Sequence, residues 1–264
     1  MKMLNMTEFQ GGGASKNKLQ KGFTLSEVLI TLGVIGIVAS LTIPQLIKNY
    51  QAKVLETGFK KSYSNLSKAY LMTQQELGVS NIHKAFASYD SAAGKYPLAD
   101  EFKRVFYKNL GTVNIADNYI ITNYNKSATF YTGCVRNSTD NTFMTGCPRP
   151  LRILSDGSSV GCVINSGQIF FEVDTNGPYQ KPNRYGFDIF TFAVQDKQDI
   201  IKPIKMSKLY TDEELEEVSW PTVAGMPCSI HSNQQSNGYG CSYYAMNDIN
   251  PDDNKSGYWK NLPK

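Results

Sequence analysis

A chain of 264 residues can hold one sizeable globular domain and an extra segment besides. Its formal net charge of +4 comes without a basic run long enough to grip a polyanion, so nucleic acid is not an expected direct partner. Two histidines and five cysteines, none spaced C-x-x-C, leave few zinc ligands, and the 16 tyrosines suit an exposed, loop-rich β domain.

Residues 1–22 are polar, with Gly11, Gly12 and Gly13 and a basic end in Lys16, Lys18 and Lys21. Phe23-Thr24-Leu25-Ser26-Glu27 follows, and then Val28 to Ile47 without a charged residue. Twenty residues at about 1.5 Å each make roughly 30 Å of helix, the thickness of a bilayer's hydrocarbon core. The stronger basic cluster lies ahead of the run, which predicts the N-terminus inside and the rest outside. A secretory signal would have a shorter apolar core and a small-residue cleavage site, which Ala39-Ser40-Leu41 does not supply. A plain anchor leaves Glu27 unexplained, because a lone carboxylate in the apolar zone costs a few kcal/mol unless something neutralises it.

Lys21-Gly22-Phe23-Thr24-Leu25-Ser26-Glu27 with the apolar run behind it resembles the class III signal of type IV prepilins and type II secretion pseudopilins. The resemblance is specific over about residues 21–50. It implies cleavage by a prepilin peptidase after Gly22, N-methylation of Phe23 and an assembly role for Glu27. Gly36 and Pro44 fall where that family often has a glycine and a helix-kinking proline. It also implies a structural subunit, not an enzyme, of a pilus-like or pseudopilus filament. Its partners would be other such subunits, the peptidase and an inner-membrane assembly platform. Before assembly the chain would cross the bacterial inner membrane once, with its domain in the periplasm or outside the cell. An adhesive or ligand-binding minor pilin and a DNA-uptake filament component are the alternatives. The implied division is a leader over 1–22, a membrane and assembly half-helix over 23–47, an amphipathic half over 48–78 and a pilin-like domain over 79–264.

The chemistry suits that spacing. Cutting after Gly22 frees an α-amine at Phe23, four residues from Glu27. Between neighbouring subunits, a Glu27 carboxylate 4 Å from a Phe23 ammonium gains about 4 kcal/mol at an effective dielectric near 20, before desolvation. Beyond Pro44 the pattern turns amphipathic, with Leu55, Phe59, Tyr63, Leu66, Tyr70 and Leu77 on one stripe and Gly78 as a stop. That stripe predicts core packing.

Residues 79–150 read as mixed, with a short helix carrying Phe102, Val105, Phe106 and Leu110 and ending at Gly111. Four strands of an antiparallel meander follow: Leu151–Ser155, Ser158–Ile164 after an Asp156-Gly157 turn, Gln168–Asp174 after Asn165-Ser166-Gly167, and Phe187–Val194. The stretch from Glu172 to Phe190, with Asp174-Thr-Asn-Gly-Pro, Pro182-Asn183 and Gly186-Phe-Asp-Ile-Phe, also resembles one in some pilin-like secretion proteins. The expected fold is α+β: a long N-terminal helix on an antiparallel sheet, with a loop-rich C-terminal region as a flap over it. Thr211-Asp-Glu-Glu214 adds a capping-box pattern in that region.

Cys134 and Cys147 are separated by twelve residues, as are Cys228 and Cys241, in Gly/Asn/Ser/Thr-rich stretches. Five cysteines with two bridges allow fifteen arrangements, among which sequence does not choose; the shared spacing makes these two pairs the candidates, with Cys162 then a buried hydrophobe, and disulfides would put the domain outside the cytoplasm. Two runs place oxygen ligands at alternate positions: Asp174 with Asn176, and Asp248, Asn250 and Asp252. No cofactor is expected beyond a possible calcium ion there. The second run resembles the start of an EF-hand loop, but Asp253 stands at its sixth position and Trp259 at its twelfth. Solvated Asx-turns are the competing reading. Gly157-Ser-Ser-Val-Gly161 fits a nucleophile elbow, but a strand pattern leaves it where the elbow needs a helix, which predicts a hairpin.

Overall fold

A computed structural model describes residues 22–92, 96–116, 119–122, 129–132, 151–165, 168–195, 198–205, 228–230 and 237–262. The chain divides after Leu46 into two compact units. Helix α1 (Leu25–Leu77) starts in the first unit and contributes its later turns to the second.

In the first unit α1 is apolar all round, and its most apolar window buries nothing. Leu29, Ile35 and Leu41 are each more than half exposed. Its few hydroxyls bond to the helix itself: Thr31 to the Val28 carbonyl, Ser40 to that of Ile37, Thr42 to that of Val38. A segment built this way asks nothing polar of a lipid environment. It is one helix long and apolar enough to cross a membrane.

In the second unit the same helix buries Ala52, Phe59, Leu66, Ala69, Tyr70 and Thr73, a stripe recurring at helical spacing. Leu55, Tyr63 and Leu77 pack against that core from its edge. Gly78 ends the helix at a φ of +66°, in the left-handed region that glycine enters cheaply. Two helices follow, α2 (Ile82–Phe86) and α3 (Ala99–Leu110). The second ends at left-handed Gly111, as the sequence predicts, and buries Phe102, Val105, Phe106 and Tyr107.

The sheet is antiparallel and has six strands where the sequence predicts four. Strands β4 (Leu151–Leu154), β5 (Ser159–Asn165), β6 (Gln168–Asp174), β7 (Ile189–Gln195) and β8 (Ile200–Pro203) form a meander. Strand β1 (Thr112–Ala116) lies outside β4, giving the order β1-β4-β5-β6-β7-β8. A separate pair, β2 (Tyr119–Thr122) and β3 (Thr129–Thr132), completes the described strands. One face of β6 and β7, with Phe171, Val173, Phe190 and Phe192, meets the helical stripe. Phe59 lies 4.6 Å from Phe190, and Tyr70 lies 6.1 Å from Phe171, ring centre to ring centre.

Two more expectations are corrected. Phe187 is in a turn, not a strand, because Gly186 bonds to the Ile189 carbonyl and Phe187 to that of Arg184. The described part of the C-terminal region is not a flap. Helix α4 (Ser242–Asn247) and the turns around it bury Tyr244, Tyr258 and Trp259 in the main core. Trp259 touches both Phe59 and Phe190, and its indole N–H donates to the Ala245 carbonyl. The 211–214 capping-box pattern lies outside the described residues.

Candidate functional site

The predicted processing and assembly residues stand together at the start of α1. Gly22, Phe23 and Thr24 precede the first helical residue, Leu25, and Phe23 is 88% exposed. The Gly22–Phe23 bond is therefore outside the helix. Thr24 and Glu27 explain why the helix stops short of it. The Thr24 amide and hydroxyl both donate to Glu27 Oε2, at 2.7 and 2.8 Å, while the Glu27 amide donates to Thr24 Oγ1 at 3.2 Å. This is a reciprocal capping box. Glu27 thus has a partner in its own chain. Its carboxylate is drawn back toward residue 23, where cleavage after Gly22 would create a positive charge.

The second unit carries a buried acidic region that sequence reasoning passed over. Glu172, on β6, is 2% exposed and receives hydrogen bonds from the hydroxyls of Tyr185 and Tyr239. Burial pushes its carboxyl up to about 7. Asp174 and Asp188 are as deeply buried. Asp188 accepts from the amides of Asn183 and Arg184 at 2.9 and 2.6 Å, and burial lifts it to about 6. Asp174 is raised well above the usual carboxylate range by burial and by the charge of Asp188. Arg184 is also buried, its guanidinium 4.0 Å above the Phe187 ring. These residues fix the Asp174–Asp188 loop onto the sheet.

Asp199 closes a second junction, in the turn between β7 and β8. It accepts from the Tyr70 hydroxyl at 2.9 Å, the Gln74 amide at 2.7 Å, and the backbone amides of Ile82 and His83 at 2.6 and 3.0 Å. One carboxylate thus ties the end of α1 and the start of α2 to the sheet. Nothing local in the sequence marks it, since its partners lie more than 110 residues away.

The oxygen-rich runs are used largely for local turns. Asp174 Oδ1 takes the Asn176 and Gly177 amides, and Asn176 donates to the Lys181 carbonyl. Asp248 Oδ1 takes the Trp259 amide, Asn250 Oδ1 that of Asp252, and Asp252 Oδ2 that of Ile230. Asp174 Oδ2 and Asn176 Oδ1 are buried without a hydrogen-bond donor. Among the described residues no group of three or more His, Cys, Asp or Glu stands ready to hold a metal ion.

Cys228 and Cys241 are joined in a disulfide, and Cys162 is a buried free thiol that burial pushes up to about 12. Cys134 and Cys147 lie outside the described residues. Ser159, the elbow pattern's serine, is buried on β5 just after the Asp156–Gly157 turn. Ser158 bonds to Asp156 through both its amide and its hydroxyl, which makes this an Asx-turn leading into a strand.

Residues 17–43 match the family model described as the prokaryotic N-terminal methylation motif. No curated protein and no solved structure matches the chain.

Proposed function

We propose, on the premise that this chain carries the methylation motif of a prepilin-type class III signal, that it is a structural subunit of a type IV pilus-like or type II secretion pseudopilus filament. A prepilin peptidase hydrolyses the Gly22–Phe23 peptide bond, leaving a carboxylate on Gly22 and a free amine on Phe23, which is then methylated. The observation that carries this reading is the pairing of a capped Glu27 with an apolar half-helix that the described residues leave uncovered. Packing that helix against its neighbours supports assembly through close van der Waals contact, because moving from lipid to a filament core exchanges one apolar surrounding for another. The Glu27 carboxylate sets the register by meeting the Phe23 ammonium of the next subunit.

Intact mass in sheared surface filaments and in washed envelope tests this. A methylated chain starting at Phe23 and abundant in the sheared fraction marks a pilus subunit. The same mass confined to the envelope marks a short pseudopilus. A chain that keeps residues 1–22 in both fractions overturns the proposal.

The capping box sharpens the role of Glu27. Thr24→Ala removes the N-cap side chain, at about 1 kcal/mol, and Glu27→Ala removes the reciprocal acceptor while leaving the bond from the residue 27 amide to Thr24 Oγ1, so only Glu27→Ala removes the charge. Both variants are expected to be cleaved, with filament yield falling steeply for Glu27→Ala and little for Thr24→Ala. Normal filament yield from Glu27→Ala would show that the register does not depend on this pair.

A further inference from the structure

A hollow of 520 Å³, in the size range of small-molecule sites, opens beside the first turns of α1 in the second unit. Leu55, Phe187 and Trp259 give it an apolar wall. Lys48 and Lys181 line it from distant parts of the sequence, as does the buried Arg184, and no carboxylate is in the lining. Among the described residues neither lysine has an acidic partner. Tyr50, on the same helix, also borders the hollow and is 70% exposed.

The place of this hollow along the helix follows from the length of the apolar run. Val28–Ile47 at about 1.5 Å per residue uses up the roughly 30 Å of hydrocarbon. Lys48 is the next residue, and Tyr50 comes two later. Lysine and tyrosine at that depth are interfacial residues, facing phosphates and glycerol. The hollow therefore offers cations and an apolar wall at the level where a lipid presents an anion and the start of its acyl chains. A second copy's span would fit the apolar wall, but Val28–Ile47 carries no charge to answer the two lysines.

We propose that this hollow takes the headgroup of an anionic phospholipid from the leaflet where the span emerges. Lys48 and Lys181 meet the phosphate, and the glycerol and first acyl carbons rest on Leu55, Phe187 and Trp259. The lipid holds the domain against the bilayer until the subunit is drawn into a filament. This rests on the reading of Phe23–Ile47 as a membrane span.

The test uses the full chain with Trp220→Phe, so that Trp259 is the remaining tryptophan, in nanodiscs of phosphatidylcholine with or without phosphatidylglycerol. In separate preparations one lipid or the other is brominated near the top of its acyl chains. Brominated phosphatidylglycerol is expected to quench Trp259 emission about twofold more than brominated phosphatidylcholine, as electrostatic lipid selection requires. Adding Lys48→Gln with Lys181→Gln is expected to abolish the difference. Equal quenching by both lipids, or a difference that survives the double substitution, overturns the proposal. So does quenching that disappears as more chains are loaded per disc, which would assign the hollow to a second copy. A chain that fails to co-elute with the discs overturns the membrane reading itself, whereas co-elution without lipid-selective quenching overturns only the lipid site.

Discussion

Both halves of α1 are rich in apolar residues, yet only one covers them. From Leu25 to Ile47 the helix turns Leu, Ile and Val outward on every side, and its hydroxyls bond back to its own carbonyls. From Ala52 to Thr73 the buried residues fall on one stripe, which packs on Phe190, Phe192 and Phe171 of the sheet, while Val54, Leu71 and Met72 stay exposed. Glutamate follows the same divide. Glu27 is capped at an exposed helix start, while Glu172 is shut inside the domain between two tyrosines. Periodicity, more than hydrophobicity, decides what an apolar helix is for. A stripe finds its partner within the domain, and an all-round apolar surface needs one from outside it.

A matched pair of substitutions would break this comparison most directly. Phe59 is fully buried among Phe190, Phe192 and Trp259, so Phe59→Ala is expected to cost about 4 kcal/mol of domain stability in denaturant unfolding. Leu32→Ala, at a position 60% exposed in the first unit, should leave domain unfolding unchanged. Equal effects would mean the two halves are not spent differently. Next in size comes Asp199→Ala, which strands the Tyr70 hydroxyl, the Gln74 amide and two backbone amides. Leaving buried donors unpaired should cost about 3 kcal/mol. Hydrogen exchange should then rise first at Ile82 and His83, whose amides lose their acceptor. Unchanged protection there would remove Asp199 as the junction between helix and sheet.

The sequence tells most where the determinants are local. The stripe on α1, the Gly78 and Gly111 stops and the Asp156-Gly157 turn each depend on residues a few positions apart, and the structure has all of them. Distant pairings leave no such trace. Strand β1 pairs with β4, some 40 residues away, and the Asp199 contacts reach across more than 110. Trp259 and Tyr258 sit in a stretch of Asp, Asn, Lys and Gly that reads as loop, and only the assembled core shows them to be anchors. The capping box was legible, since Thr24-Leu-Ser-Glu27 has the same Thr-x-x-Glu spacing as 211–214. The long apolar run behind Glu27 directs attention to the membrane and away from the adjacent threonine.

The smallest expected effect concerns the glutamate on the buried side of the divide. Glu172 has a carboxyl raised to about 7 in the folded domain, against an ordinary value of 4.5, because burial disfavours its charged form. A raised carboxyl favours folding below pH 4.5, where both states are protonated, and that contribution is lost as pH climbs through 7. Asp188, raised to about 6, and Asp174 push the same way, so the unaltered domain loses stability over this window from several groups at once. Glu172→Gln keeps an acceptor for the hydroxyls of Tyr185 and Tyr239 and removes one titration. Its stability relative to the parent should therefore rise between pH 4.5 and 7 and level off above that. Urea unfolding at pH 4.5, 6 and 8 reads this directly. A difference that stays flat across the three would mean that Glu172 is already ionised in the fold. Its two tyrosines would then be stabilising a buried charge, and the contrast with the exposed, capped Glu27 would be one of solvent access alone.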